Sequence, residues 1–332
     1  MKHIIYFFII ILIACSPSSK RVLVQNIGEA QGTNYHIQYL SDGGINYKNQ
    51  IDSILLEIDS SLSIYKQYSL ISKLNSGEDI RTDSFFNIVY RAAKRVYNES
   101  KGNFDCSVFP LVKEFGFYQD KLGEDILLDS INIRKIIKYV GFDKTLLISD
   151  SLILPKGMSL DFNSIAQGYT VDVITDFLES KGDSNYLVEI GGELKAKGKN
   201  ADRKIWRVGV DKPSEEIDNA NRFQFILNLE NKSLATSGNY RKFYKQRGVR
   251  YSHTISPFSG FPSQNRLLSV SVIHDECMLA DAYATTFMVM GVRETKVFIK
   301  NRLDIEVYLI FTDKDNNWKT YISPNMKERI IN

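Results

Sequence analysis

The sequence predicts an α+β fold with a largely antiparallel sheet, and three observations carry that reading. Helical periodicity is confined to a few separate segments. The strand-like segments between them do not alternate with helices as a parallel, doubly wound sheet requires. No repeat, low-complexity tract or long linker divides the chain.

Taken in order, Val22-Leu23-Val24 and Tyr35–Tyr39 read as early strands, with Gly32 between them. Residues 51–62 carry apolar side chains at Ile51, Ile54, Leu55, Ile58 and Leu62, the spacing of one helix face. Residues 85–100 repeat that pattern, and Gly102 supplies a C-terminal stop. A third helix is expected over 132–140 and a fourth over 168–181, closed by Gly182. Strands follow at 186–190, 206–210, 223–229, 267–272 and 305–311, with helices at 279–289 and 294–301.

The N-terminus reads as a targeting segment. Lys2 gives the positive start, and Ile4 to Ala14 is an apolar run of about ten residues, short for a bilayer span. It ends in Leu12-Ile13-Ala14-Cys15, a bacterial lipobox, which predicts acylation of Cys15 and attachment to a membrane facing the periplasm. Ser16 after the cysteine leans toward the outer membrane without fixing it. The expected organisation is a signal peptide over 1–14, a lipidated tether over 15–26 and one domain over 27–332.

Composition excludes several classes. Hydrophobic content of 43% and charged content of 24% are ordinary for a globular chain, and a formal charge of +3 gives no basic footprint for nucleic acid. Cys106 and Cys277 stand far apart and read as independent, buried and reduced, with a disulfide as the other possibility. The histidines, at 3, 36, 253 and 274, form no metal triad, and zinc spacing is absent. There is no phosphate-loop motif, no dinucleotide fingerprint and no serine-hydrolase elbow.

The chemistry-bearing residues lie elsewhere. Ser159 to Asp172 places an acid, small polar residues and Gly168 where a strand is expected to turn into a helix, a setting that suits a phosphate-bearing ligand held by backbone amides. Asp281 and Thr285 stand four apart on an expected helix, so their oxygens share a face. With a nearby carbonyl they make a hard oxygen site for Mg²⁺; otherwise Asp281 caps the helix start and Thr285 packs. His253, followed by Thr254-Ile255-Ser256-Pro257, is the histidine in a loop-like polar setting, fit for proton transfer or a structural role. Thr236-Ser237-Gly238-Asn239 reads as a hydroxyl-rich turn, and Gly191-Gly192-Glu193 as a close backbone approach or a simple turn. Tyr65, at a helix end, is a stacking candidate for a flat ring.

These segments, with Gln31-Gly32-Thr33, Asp59–Tyr65, Ser69–Asn75, Gly102–Val112, Gly141-Phe142-Asp143 and Val188–Glu193, occur in the order found in the ApbE family, which the chain resembles over nearly its whole mature length. The resemblance implies a fold related to the T-fold, with FAD held in a cleft between two halves. It implies transfer of FMN from FAD, through a phosphoester, to a threonine or serine hydroxyl of a target protein, with release of AMP. By position, Gln31 and Tyr65 would flank the isoalloxazine ring, and Asn103, Phe104, Asp105, Asp161, Gln167 and Ile255 would line the rest of the FAD site. Mg²⁺ would be held by Asp281, Thr285 and an oxygen of Ser164, and His253 would deprotonate the acceptor. The implied acceptors are subunits of sodium-pumping NADH:quinone oxidoreductases or Rnf-type complexes; no flavinylation-type site is found within this chain.

The chain departs from the family pattern at Gln31, where many members have methionine, at Gln167, often lysine, and at Ala284, aspartate in some. Two other readings use the same residues. One is a periplasmic FAD pyrophosphatase that uses water as acceptor. The other is an FAD-binding lipoprotein that does not cleave its ligand.

Overall fold

The computed structural model describes residues 20–118, 130–212, 222–239, 243–246, 249–252 and 254–331. Its centre is an eight-stranded sheet whose strands lie in chain order: Arg21–Ala30, Thr33–Asp42, Tyr186–Ile190, Glu193–Lys197, Lys232–Gly238, Leu267–His274, Glu306–Thr312 and Trp318–Ile322. Every neighbouring pair is antiparallel. The helices are inserted between sheet neighbours, which is why no strand–helix alternation is visible in the sequence.

Strand patterning fixes which face is covered. Along Thr33–Asp42, Tyr35, Ile37, Tyr39 and Ser41 point inward at every second residue, as the pleat demands. Against that face pack Ile51 and Leu55 of the helix Lys48–Leu62, and Val171, Ile174 and Leu178 of the helix Ala166–Ser180. A larger core joins the helix Ser84–Glu99, through Phe86, Val89 and Ala93, to the buried helix Cys277–Ile299 and to Val270, Val272 and Leu309 of the sheet. The sheet's other face, through Leu194, Ile273 and Ile310, meets a three-stranded sheet made of Trp206–Asp211, Phe223–Leu229 and Ile330–Ile331.

The expected helices are present, with differences that have local causes. Asp83 caps Ser84–Glu99 by accepting from Phe86 N at 2.8 Å. The third expected helix is shorter, Ser130–Ile136, and tightens into a 3₁₀ turn at Ile137–Tyr139. The two helices expected at 279–289 and 294–301 are one element, Cys277–Ile299, broken at Gly291, whose φ of 78° is open to glycine. The first strand starts at Arg21, paired with Asp42, so residues 21–26 belong to the sheet and not to the expected tether. Thr236 and Ser237 lie in the strand Lys232–Gly238 and not in a turn. Cys106 and Cys277 are both buried and unpaired. Among the described residues, no helix is long and apolar enough to cross a membrane.

Candidate functional site

The site is built where two helices meet at their N-termini. Gly168 permits the approach: a Cβ there would lie 2.4 Å from the carbonyl oxygen of Cys277 and 2.9 Å from Cβ of Asp281. Asp281 is not at the helix start, as the capping alternative required. Cys277–Ile299 begins four residues earlier, and the Asp281 carboxylate reaches across to accept from Gly168 N at 3.2 Å. It therefore caps the other helix, Ala166–Ser180, whose own N-cap residue, Ile165, provides no side-chain bond.

Asp281 is 5% exposed, and burial pushes its carboxyl up to about 7 against the opposing pull of the Gly168 N–H. Thr285, one turn on, places Oγ1 3.3 Å from Ser237 Oγ on the neighbouring strand. Thr236 points to the opposite face of the sheet and bonds Ser271 Oγ at 2.9 Å, so only Ser237 of that pair can join Thr285.

The segment before the helix is irregular, not the strand expected from the sequence. It is pinned by Asn75, which accepts from Leu160 N at 2.7 Å and donates to Leu160 O at 2.8 Å. Asp161 donates its N–H to Cys106 O at 2.8 Å, and its carboxylate accepts from Asn163 N at 2.8 Å. Burial pushes Asp161 up to about 6. The buried Cys106 thiol is raised by desolvation, then by Asp105, Asp161 and Asp281, with a hydrogen bond from Ser164 opposing. Asp161, Ser164 and Asp281 thus all act on that one thiol. Of the first-turn amides expected to bind phosphate, Ala166 N is already given to Phe162 O at 2.8 Å and Gly168 N to Asp281.

Tyr65 is 58% exposed and stacks on Tyr118, ring centres 5.5 Å apart and 14° from parallel. Asn163 Nδ2 donates to its hydroxyl at 3.2 Å, tying this aromatic platform to the Asp161 segment. Gln31, at φ 53° in the turn between the first two strands, donates Nε2 to Thr170 Oγ1 at 2.8 Å, while its Oε1 is buried without a hydrogen-bond partner. Gln167 lies on the next face, its amide nitrogen packed against Gly191.

Other expected residues face the protein itself. Asn103 Nδ2 bonds Ser100 O at 2.8 Å, and Phe104 is 1% exposed in the main core. Asp105 accepts from Ser107 N, Ser107 Oγ and Phe142 N, so its carboxylate holds the loop together. Ile255 packs in a satellite core with Leu111, Phe115, Ile133 and Val140. His253 and Cys15 lie outside the described residues. The sequence reading missed Asn75, Thr170 and Asp172 as organisers of the site; the signal for Asp172 was its spacing of four residues from Gly168.

The donor set fits Mg²⁺. Among the described residues no group of three or more His, Cys, Asp or Glu side chains could cage a metal. A buried carboxylate with a hydroxyl one turn along the same helix suits an ion that keeps waters and takes phosphate oxygens from its ligand.

Comparison with known proteins bears on the family and the fold. The family model described as "ApbE family" matches residues 31–309. The FAD:protein FMN transferase of Vibrio cholerae is 34% identical over 96% of both chains, and that of Haemophilus influenzae is 32% identical over 96% of this chain and 94% of its own. Among solved structures, the flavin transferase ApbE of Vibrio cholerae superposes with a TM-score of 0.83 at 33% identity, covering 93% of this chain and 99% of that one. The apo flavinyl transferase ApbE of Pseudomonas stutzeri gives 0.83 at 29% identity, covering 93% and 97%. With the fold, the order of the motifs and the near-complete coverage all in agreement, the chain belongs to the ApbE family.

Proposed function

We propose that the chain is a Mg²⁺-dependent flavin transferase that moves FMN from FAD to a threonine or serine hydroxyl of a separate protein and releases AMP. The observation that carries this reading is the Asp281–Thr285 pair, set at a helix junction within a family whose relatives are named for that reaction. Asp281, Thr285 and an oxygen of Ser164 would hold the ion, which when bound neutralises phosphate charge.

The chain's own groups do the rest. Tyr65 offers its exposed face to the flavin ring, backed by Tyr118. Gln31 Oε1, buried and unsatisfied, is the acceptor that an N–H on the flavin edge would satisfy. Asp161 and Gln167 would line the rest of the FAD site, beside the start of Ala166–Ser180. His253 takes the proton of the acceptor hydroxyl as its oxygen bonds the FMN phosphorus; the bond from that phosphorus to the bridging oxygen breaks, and AMP leaves with the electron pair. Lipidation at Cys15 would hold the enzyme at the periplasmic face of a membrane, beside membrane-bound acceptors such as NADH:quinone oxidoreductase or Rnf-type subunits.

Incubation with FAD, Mg²⁺ and an acceptor domain bearing a flavinylation-type threonine tests the proposal by intact mass. A gain of one FMN with AMP released, both lost without Mg²⁺, is the expected result. Free FMN and AMP beside an unmodified acceptor would point to a pyrophosphatase, and intact bound FAD to a carrier. His253→Ala retaining the full transfer rate would overturn the general-base role.

A further inference from the structure

The helix junction contains a second carboxylate, Asp172, that the proposed chemistry does not use. Asp172 accepts from Cys277 N at 3.1 Å through Oδ1 and from Met278 N at 2.9 Å through Oδ2. Those are the first two residues of the helix that carries Asp281 and Thr285, and its N-cap residue, Glu276, makes no side-chain cap of its own. In return, Asp281 accepts from Gly168 N in the first turn of the helix that carries Asp172.

The two halves of this arrangement match. Gly168 and Asp172 are four apart on one helix, and Cys277 and Asp281 are four apart on the other. Each helix therefore presents an N–H in its first turn and, one turn later on the same face, a carboxylate for its partner. Each carboxylate also meets the positive end of the opposite helix dipole. Lys195 Nζ, from the adjoining strand Glu193–Lys197, bonds Asp172 Oδ1 at 2.7 Å, and both side chains are mostly buried, at 18% and 14% exposure. Gly168 closes the lock, since any side chain there would strike the Cys277 carbonyl.

We propose that Asp172 is a positioning residue for the cation site: by fixing the first turn of Cys277–Ile299 it sets the rotation of that helix and so the aim of Asp281 and Thr285. This rests on the reading of those two residues as cation ligands. Asp172 acts through the helix it caps. Its two oxygens are spent on the two N–H groups and on Lys195, whereas the Gly168 bond uses only Oδ2 of Asp281. The alternative is a cap that stabilises the fold and leaves ion affinity alone.

Mn²⁺ titration followed by electron paramagnetic resonance separates the two, using the full chain in mild detergent with Mg²⁺ as competitor. Asp172→Asn/Lys195→Met removes both charges together, so that no lone lysine is left buried. It should fold by circular dichroism and bind Mn²⁺ about 10- to 100-fold more weakly, the usual cost of losing an outer-shell partner. Lys195→Met alone keeps both N–H bonds and should stay within about threefold of the unmodified chain, well short of that cost. A folded double variant with unchanged Mn²⁺ affinity would overturn the inference. Should the double variant not fold, Lys195→Met carries the test, and a tenfold loss there would overturn the capping geometry as the cause. An unmodified chain that binds no Mn²⁺ displaceable by Mg²⁺ would overturn the cation reading and this inference with it.

Discussion

Two buried carboxylates, Asp281 at the helix junction and Asp105 in the loop 103–107, share their burial and differ in their surroundings. Both are under a tenth exposed, and burial raises the pKa of each. Asp105 is surrounded by donors: Ser107 N at 2.7 Å, Ser107 Oγ at 2.5 Å and Phe142 N at 3.1 Å. Asp281 has Gly168 N as its partner, at 3.2 Å. The Asp105 carboxylate is satisfied by its own loop and by Phe142 N. One left short of donors in a dry site favours a cation, because an ionised group there is costly until paired. Burial is therefore alike at the two carboxylates, and what differs is how many donors meet each one.

The comparison is sharpest at Asp281 itself. Asp281→Asn keeps an acceptor for Gly168 N but loses the charge. FMN transfer should fall on the order of a hundredfold or more, as expected when charge stabilisation worth several kcal/mol is lost. Its thermal midpoint should hold or rise, since a buried charge has been removed. A variant with full Mg²⁺-dependent activity would place the ion elsewhere. Gly168→Ala tests the same junction through packing. The new Cβ would meet backbone at 2.4 Å, so the helices must part. We expect about 1–3 kcal/mol of lost stability by urea unfolding, typical of overpacking, together with a loss of transfer larger than that destabilisation explains. Undiminished transfer would show that the junction tolerates slack.

Much of the scaffold was legible. Ile51, Leu55 and Ile58 announce a helix because one face of it is buried, and Tyr35, Ile37 and Tyr39 announce a strand by their alternation. Asp281 and Thr285 were legible as a pair for the same reason, their spacing on a helix face. What could not be read was the junction. The bonds from Gly168 to Asp281 and from Cys277 to Asp172 span more than 100 residues, and no local period encodes them. Asp281 consequently read as a possible cap for its own helix, when it caps the neighbouring one. The Thr236–Asn239 segment read as a turn because Thr, Ser, Gly and Asn favour turns. Pairing of Lys232–Gly238 with Leu267–His274 overrides that propensity. The resemblance named Phe104, Asp105 and Ile255 but could not say that their side chains face the protein.

At Asp105 the expected outcome is the reverse of that at Asp281. Asp105→Ala strands Ser107 N and Phe142 N, at about 1–3 kcal/mol for each buried donor left without a partner. Unfolding by urea should register that loss. Transfer per folded molecule, measured well below the thermal midpoint, should stay within a few-fold of the unmodified chain. A large fall in transfer with unchanged stability would move Asp105 from scaffold to ligand contact.

Asp161 falls between the two, and pH separates its roles. Its folded pKa, pushed up to about 6 by burial, lies above the unfolded value of 3.8. The folded state therefore takes up the proton first. Stability should rise as pH falls from about 7 toward 4, over the interval between those two values, and gain nothing more from this group below it. Asp161→Asn mimics the neutral form and keeps an acceptor for Asn163 N. It should be more stable than the unmodified chain at pH 7, and the advantage should shrink as pH falls toward 4. If the advantage is the same at both ends, the Asp161 carboxylate is already stabilised in its charged form, and its place in the comparison is beside Asp105. If the advantage shrinks as expected, Asp161 belongs with Asp281, a carboxylate whose charged form the folded protein disfavours.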